Sequence, residues 1–275
     1  QEAYDIMRSD FVPRSDDVCL VGAFGCGRTS VLATCLALRQ RGGLDLVDMD
    51  RPYTIDVSVA RGRMDVVGFN QIDSVFRVFK FVFHPRWVLP LRVGDGDLPE
   101  RGKFIYVMRD PRDVLVSNFC TMPAWKTFDP EKLDFESFFD AWLSDGVPTC
   151  NHWLAACLDW WEKAKAAPHR ILWIVFEDML RDPRLAVSKI AQFLGHSVEE
   201  AVVAHLASAM SFAELCRRWK SKLGPLLRKG IVGDHQHYFS NEQLARFRHE
   251  VLDPAISAGV PLPREVLIDR VAQKV

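Results

Sequence analysis

Residues 104–117 read F-I-Y-V-M-R-D-P-R-D-V-L-V-S, and this stretch indicates the fold. Its first five residues are apolar or aromatic, which is typical of a buried strand. The strand pattern ends at Arg109, and a helical pattern begins near Pro111 and carries Asp113 and Ser117. The stretch therefore predicts a strand, a short turn and a helix, with charged and polar residues placed directly after the strand.

The rest of the chain alternates in the same way between short apolar runs and longer helical patterns. We predict strands over residues 18–23, 77–83, 104–108 and 171–176. We predict helices over about residues 29–41, 111–120, 183–194, 198–209 and 211–222, and one beginning at a capping box at residues 240–243. Residues 223–239 are predicted to form a loop. Apolar strands alternating with helices predict an α/β fold with a parallel sheet covered on both faces, in one domain over residues 1–275.

Composition excludes several classes of protein. The 35 Lys and Arg residues are balanced by 36 Asp and Glu, and this argues against a general nucleic-acid binder. Seven cysteines without a C-x-x-C pair indicate reduced thiols rather than a zinc or redox motif, and no cluster of metal ligands is evident. The longest apolar runs are too short to span a membrane, and residues 1–17 lack a signal-peptide core. We therefore expect a cytoplasmic protein with no membrane, nucleic-acid or metal partner.

Residues 22–29, G-A-F-G-C-G-R-T, lie between the first predicted strand and the first predicted helix. Glycines let a backbone approach a phosphate closely, and a helix N-terminus offers unpaired N–H groups. The stretch fits the phosphate-loop pattern G-x-x-x-x-G-K-T except that Arg28 replaces the lysine. Arg28 or Thr29 adds further donors. This predicts a phosphate-binding loop; the alternative is a glycine-rich turn without a ligand.

Several of these stretches share a resemblance to one family. Residues 104–117 are similar to the 3′-phosphate-binding segment of the cytosolic sulfotransferases. Further similarity lies in V-F-E-D-M-L-R-D-P at residues 175–183, I-A-Q-F-L-G at 190–195 and R-K-G-I-V-G-D at 228–234. Order and spacing agree over about residues 18–247, so the chain resembles this family over most of its length. The family transfers a sulfuryl group from 3′-phosphoadenosine 5′-phosphosulfate (PAPS) to a hydroxyl or amine.

The resemblance implies a P-loop-like three-layer fold with a central parallel sheet flanked by helices. It also implies PAPS as donor, 3′-phosphoadenosine 5′-phosphate (PAP) as product, and no metal. The residues it assigns to the 3′-phosphate are Arg109, Ser117, Arg228, Lys229 and Gly230. Those it assigns to the 5′-phosphate loop are Gly25, Cys26, Gly27, Arg28, Thr29 and Ser30. Met210, Ser211 and Phe212 fall near the adenine and the 3′-phosphate, and Phe176, also counted among the donor contacts, replaces a tyrosine of the family and lacks its hydroxyl.

The first loop departs from the family pattern K-S-G-T-T-W. Aligning residues 26–29 with S-G-T-T places Gly25 at the lysine that steadies the leaving group, and Ser30 at the tryptophan that stacks on adenine. We expect Arg28 to take over the role of the missing lysine, although its position differs by three residues.

The expected catalytic histidine is also displaced. Residues 80–90 read K-F-V-F-H-P-R-W-V-L-P, where the family has K-T-H-L-P followed by L-L-P. Anchoring on Lys80 places the base at Val82, and anchoring on the prolines places it at Phe83. His84 lies one or two residues beyond, on the same strand face as Lys80 if the strand continues. We predict His84 as general base, assisted by Lys80.

Other assignments stay open at this point. His235 and His237 are alternative candidates for the general base, in place of His84. The acceptor is expected to be a small molecule in an apolar pocket, with candidates Phe81, Phe83, Trp87, Phe119, Trp125 and Trp142. The family's dimer motif finds no match at Gln236, Ser240, Asn241 and Ala245, so we expect a monomer or a dimer built differently. Rival functions are a PAPS- or PAP-binding protein with impaired catalysis, and a P-loop kinase using ATP.

Overall fold

The computed structural model describes residues 12, 14–40, 77–80, 102–121, 134–144, 153–224 and 227–272. Within these ranges the chain forms a four-stranded sheet in the order β2-β1-β3-β4, with every neighbouring pair parallel. Its strands are β1 Val18–Val21, β2 Val78–Lys80, β3 Lys103–Met108 and β4 Ile171–Val175. The central parallel sheet predicted from the sequence is therefore confirmed.

Helices account for most of the remaining described residues. In chain order they are α1 Arg28–Arg39, α2 Pro111–Thr121, α3 Phe135–Leu143, α4 Trp153–Ala166, α5 Phe176–Arg181, α6 Pro183–Leu194, α7 Glu200–Ala209, α8 Phe212–Leu223, α9 Asn241–Phe247, α10 Asp253–Ser257 and α11 Arg264–Ala272. A 3₁₀-helix covers Asp234–His237 and a π-helix covers Arg248–Leu252. Of the helices in the described ranges, none combines the length and apolar character that crossing a bilayer requires.

Most predicted elements are confirmed, with shifts at their ends. The helix predicted over residues 183–194 agrees with α6, and the predicted capping box is present at Ser240 and Gln243. The last predicted strand is one residue too long, because Phe176 begins α5 instead of ending β4. The predicted loop over residues 223–239 contains the 3₁₀-helix. Residues 81–83 of the second predicted strand lie outside the described residues.

Both faces of the sheet are covered. Phe104 and Tyr106, two residues apart on β3, both contact the ring of Trp160 from α4, so α4 covers that face. Ile105 and Val107 point to the opposite face and are equally buried. Burial on both faces explains why the strands are continuous apolar runs rather than alternating ones.

A buried ion pair fixes the start of the two neighbouring strands β1 and β2. The Nε and Nη2 atoms of Arg77 donate to the two carboxylate oxygens of Asp17, each at 2.6 Å. The next residue pair in register is Val18 with Val78. Because both charges are buried and matched in two-point geometry, this pair specifies how the strands align.

Candidate functional site

The first loop turns sharply at Gly27 and packs directly on an aromatic ring. Gly27 has a φ of 90°, and a Cβ there would lie 2.3 Å from the ring of Phe176. Only glycine fits both this backbone conformation and this contact. Helix α1 begins at the next residue, Arg28, so its first N–H groups follow the loop. The geometry is that of a loop leading into a helix N-terminus, which suits an anion.

The same loop also rests on α2. A Cβ at Gly25 would lie 2.9 Å from Oγ of Ser117 and 3.3 Å from Oδ1 of Asn118. That oxygen of Asn118 is buried and has no hydrogen-bond partner among the described residues. Ser117, predicted as a phosphate contact, therefore lies directly beneath the loop.

Arg109 joins the first loop, residues 22–29, to a second loop, residues 228–234. Its Nη1 donates to the carbonyl oxygen of Gly25 at 2.9 Å, and its Nη2 donates to that of Ile231 at 3.0 Å. Its guanidinium lies 4.9 Å from the centre of the Phe176 ring. The side chain is buried, and its Nε has no hydrogen-bond partner within the described ranges. A cation with an unused donor is thus held where the two loops meet.

Asp113 forms an ion pair with Arg109 and also binds the second loop. Its carboxylate lies 3.7 Å from Nη2 of Arg109 and accepts hydrogen bonds from the backbone N–H groups of Gly233 and His235 at 2.8 and 3.0 Å. Nδ1 of His235 lies 2.9 Å from the same carboxylate. Burial acts to raise the pKa of Asp113, but the hydrogen bonds from His235 and the charge of Arg109 outweigh it, and the pKa lies below its usual range. Asp113 is therefore a fixed anion that anchors the second loop.

The two cations of the second loop share one buried carboxylate. Asp234 lies 2.6 Å from Nη2 of Arg228 and 2.8 Å from Nζ of Lys229. Burial acts to raise the pKa of Asp234, but its bonds to Lys229 and Arg228 outweigh it and lower that pKa. Between the cations and the acid, the backbone at Gly230 lies against the ring of Phe212. The sequence predicts that Arg228, Lys229 and Gly230 contact a phosphate; the structure shows in addition the acid that orients both cations.

A cavity of about 270 Å³ is lined by residues of α1, α5, α6, α7 and the start of α8. Five of the residues that line it were predicted from the sequence to contact the donor nucleotide: Ser30, Phe176, Met210, Ser211 and Phe212. Apolar side chains of α5 and α6, among them Met179 and Val187, complete the lining. An apolar cavity flanked by aromatic rings suits a flat heterocycle.

Lys80, at the end of β2, lies in the electrostatic field of Arg28. Burial and the nearby charge of Arg28 lower the pKa of Lys80 to about 7. Burial raises the pKa of the neighbouring Cys26 thiol, which favours its neutral form. The structure thus brings two of the predicted catalytic cations, Arg28 and Lys80, near each other.

Other predicted residues are placed elsewhere or are not described. His84, Phe81, Phe83, Trp87 and Trp125 lie outside the described residues. Trp142, a candidate for the acceptor pocket, stacks on Phe247 and is buried in the core. Phe119 packs against Phe135 and Phe138. His237 is exposed, and His235 lines a different cavity from the one described above.

Three acids around the site were not predicted as functional, namely Asp113, Asp234 and Glu177. Glu177 is buried and accepts the N–H of Asp110, the residue after Arg109, at 2.9 Å. Burial raises the pKa of Glu177 to about 8, against the lowering effect of that hydrogen bond. Asp234 and Glu177 both lie in stretches that resemble the family, at residues 228–234 and 175–183, but the sequence did not show that Glu177 is buried beside the strand end.

Comparison with known proteins assigns the chain to a family. The sequence profile of the Sulfotransferase domain matches residues 71–255, more than half of the chain. The chain therefore belongs to the sulfotransferase family. Relatives include Sulfotransferase 1E1 from Rattus norvegicus, 31% identical over 53% of this chain and 52% of that protein. Another is Sulfotransferase 1C2 from Homo sapiens, 29% identical over 53% of this chain and 52% of that protein. The chain thus spans about half the length of the curated relatives it matches.

Solved structures share the fold. Retinol dehydratase in complex with androsterone and inactive cofactor PAP matches with a TM-score of 0.74 and 16% identity, covering 92% of this chain and 85% of that one. Mouse sulfotransferase SULT7A1 complexed with PAP matches with a TM-score of 0.71 and 22% identity, covering 93% and 90%. The P-loop-like α/β fold with a central parallel sheet flanked by helices is therefore confirmed.

Proposed function

We propose that this chain transfers a sulfuryl group from PAPS to a hydroxyl or amine of a small acceptor. The observation that carries the proposal is the 270 Å³ cavity beside the glycine-rich loop, whose lining includes residues from three separate stretches that the family resemblance assigns to the donor. The relatives are named sulfotransferases, and the structural neighbours were solved with PAP.

The residues around the cavity fit such a donor. The apolar cavity would take the adenine, and the N-terminus of α1 with Arg28 and Thr29 would take the 5′-phosphate. Arg109, with Nε unpartnered among the described residues, would bind the 3′-phosphate together with Ser117, Arg228 and Lys229. PAPS supplies an activated sulfuryl group attached to a phosphate that can leave as PAP.

The protein's part in the reaction is proton transfer and charge stabilisation. His84 would accept the proton of the acceptor hydroxyl while the acceptor oxygen bonds to sulfur and the bond from sulfur to the phosphate oxygen breaks. Lys80 and Arg28 would stabilise the charge that develops on the transferred group and on the leaving phosphate. We propose that these residues act without a metal.

The class of acceptor is part of the same proposal. Retinol dehydratase was solved with androsterone and with retinol, which supports a small, largely apolar acceptor. We further propose one sulfotransferase domain over residues 1–275, a cytoplasmic location, and a monomer or a dimer that does not use the family's usual motif.

The experiment measures PAP binding and sulfate transfer on the same preparation. Calorimetry gives the affinity for PAP, and product formation from PAPS is followed with a panel of phenols, alcohols and amines. His84→Asn should lower turnover by about 10²-fold or more and leave PAP affinity unchanged, since general-base catalysis contributes about 10²–10⁴. His249→Asn, an exposed histidine on the π-helix, is the matched control and should match the wild type.

Gly25 at the position of the family's loop lysine favours a second candidate, a nucleotide-binding protein without turnover. Tight PAP binding with no transfer to any acceptor would support that candidate. Magnesium-dependent hydrolysis of ATP without PAP binding would instead support a P-loop kinase and contradict the proposal.

A further inference from the structure

The pairing of strands β3 and β4 continues past the sheet through two side chains. The two strands are in parallel register up to their last residues. One residue beyond, the guanidinium of Arg109 lies 4.9 Å from the centre of the Phe176 ring. At the next position, the backbone N–H of Asp110 donates to Oε1 of Glu177 at 2.9 Å. The first two residues of α5 therefore hold the two residues that follow β3.

Glu177 orients the main chain directly after Arg109. The N–H that it accepts belongs to the peptide that joins Arg109 to Asp110. The carboxylate of Asp110 is occupied elsewhere, since it accepts from the backbone N–H, Nε and Nη2 of Arg112 at 3.0, 3.0 and 2.7 Å. Asp110 thus fixes the first turn of α2, whereas Glu177 fixes the peptide that carries Arg109.

The burial of Glu177 decides its charge. The residue is 2% exposed, and its Oε2 has no hydrogen-bond partner among the described residues. Burial raises the pKa of Glu177 to about 8, and the charge of Asp110 adds to this against the opposing charge of Arg109. On its own helix, Asp178 pairs with Arg181 at the surface. At pH 7 the carboxyl is therefore mostly neutral and adds no negative charge beside Arg109.

We propose that Glu177 is a positioning residue for the donor's 3′-phosphate, because by holding the N–H of Asp110 it keeps Arg109 directed at that phosphate. The inference rests on the proposed function, in which Arg109 binds the 3′-phosphate. Glu177 acts through the peptide after Arg109 and is assigned no contact with the donor. A shift of this peptide moves the guanidinium at the end of its side chain, and a charge-assisted hydrogen bond weakens when its geometry is lost.

Two nucleotides that differ in one group test this assignment. PAP carries the 3′-phosphate, whereas adenosine 5′-monophosphate (AMP) lacks it. Glu177→Leu removes the acceptor for the N–H of Asp110. It should weaken PAP binding by about tenfold or more, the weight of one charge-assisted contact, and leave AMP affinity unchanged. Calorimetric titration at pH 7 measures both affinities. An unchanged PAP affinity, or an equal loss for both nucleotides, would overturn the proposal.

Glu177→Gln is the conservative variant, because glutamine keeps an acceptor for the same N–H without a charge. Its PAP affinity at pH 7 should equal that of the wild type. Glu242→Gln, at an exposed position on α9, is the matched control and should bind both nucleotides as the wild type does. A loss of PAP affinity in Glu177→Gln as large as in Glu177→Leu would contradict the proposed role.

The pH dependence of PAP binding supplies a readout that holds even if Glu177→Leu does not fold. Above pH 8 the wild-type carboxyl ionises and opposes the incoming 3′-phosphate. Between pH 7 and pH 9, the PAP affinity of Glu177→Gln relative to the wild type should therefore rise about threefold or more. Lys80 titrates in both proteins and cancels in this ratio. With AMP the ratio should stay constant. A PAP ratio that does not change with pH would overturn the proposal.

Failure of the proposed function gives a different result. A wild type that binds PAP no more tightly than AMP would contradict the donor assignment, and this inference with it. A wild type that prefers PAP, together with Glu177 variants that retain the same preference at every pH, would overturn the role of Glu177 alone.

Discussion

The guanidinium of Arg109 donates a hydrogen bond to the carbonyl oxygen of Gly25 at 2.9 Å, across 84 positions of sequence. Because its other terminal nitrogen reaches Ile231, a single side chain holds the two loops that flank the proposed donor site. The residue is thus placed both to bind an anion and to keep its binding loops together.

Replacing Arg109 by alanine should lower the affinity for PAP more than tenfold, about 1.4 kcal/mol or more. The loss combines a charge-assisted contact to phosphate with the two backbone contacts. Calorimetric titration of PAP measures it. Arg184→Ala is the control, since Arg184 is exposed and lies 3.6 Å from Glu200. A PAP affinity equal to that of the wild type would remove Arg109 from the donor site.

Substituting Gly27 by alanine should destabilise the fold more than the same change at Gly195. Both residues have a left-handed backbone, with φ of 90° and 82°, so both share a conformational cost of about 1–3 kcal/mol. At Gly27 the new methyl would lie 2.3 Å from the Phe176 ring, whereas at Gly195 nothing lies within 4 Å. Urea unfolding of the two variants compares them directly. Equal losses in the free energy of unfolding would show that Gly27 is not in close contact with the Phe176 ring.

PAP binding at pH 8 should be accompanied by proton uptake at Lys80. The pKa of this amine is about 7 in the free protein, so it is mostly neutral at pH 8. A bound phosphate nearby raises that pKa and draws a proton onto the amine. Titrations in buffers of different ionisation heat report the protons taken up.

On binding PAP at pH 8, the Lys80→Met variant should take up fewer protons than the wild type. The exposed control variant, Lys165→Met, should take up as many protons as the wild type. The comparison with variants is needed because the phosphates of PAP themselves exchange protons. The same proton count in Lys80→Met and in the wild type would place Lys80 away from the bound anion.

Glu177→Gln should flatten the dependence of stability on pH. The folded chain keeps the Glu177 proton up to a pKa of about 8, whereas the unfolded chain releases it near 4.5. Stability therefore falls as pH rises between these values, by about 1.4 kcal/mol for each unit of pKa difference at most. Glutamine keeps the acceptor for the N–H of Asp110 without the charge.

Melting temperatures at pH 5 and pH 8 test this expectation. Relative to the wild type, the melting temperature of the variant should be higher at pH 8 than at pH 5. A variant whose melting temperature falls with pH as steeply as that of the wild type would mean that Glu177 does not hold the proton.

The central elements could be predicted from the sequence because their apolar patterns are unambiguous. The strand before Arg109 is buried from Phe104 to Met108, so its apolar run locates it, and the helix after it is marked by the proline at its start. Helices α3 and α4 were not predicted. Their aromatic residues, such as Phe139 and Trp160, become informative only through partners distant in sequence, namely Phe247 and Phe104.

The candidate site, like the fold, could be predicted from the sequence only in part. The family resemblance predicted five of the residues that line the 270 Å³ cavity, but it could not state which acid pairs with which cation. Asp234 pairs with Arg228 and Lys229 only because the second loop folds back on itself, and Asp113 reaches Gly233 across 120 positions. Such pairings depend on tertiary structure, and composition shows only that acidic and basic residues are nearly equal in number.

The ion pair between Asp17 and Arg77 carries a consequence for how this protein can vary. It closes a loop of chain spanning 60 positions, and the entropy cost of closing a loop grows only with the logarithm of its length. Doubling that length would cost about 0.6 kcal/mol. The loop-closure cost of an insertion outside β1 and α1 is therefore small, provided that the two charges survive, whereas an insertion within β1 or α1 would disrupt buried elements. Evolution, or a designer, can thus change the length of the chain outside these two elements at little loop-closure cost while the two strands remain aligned.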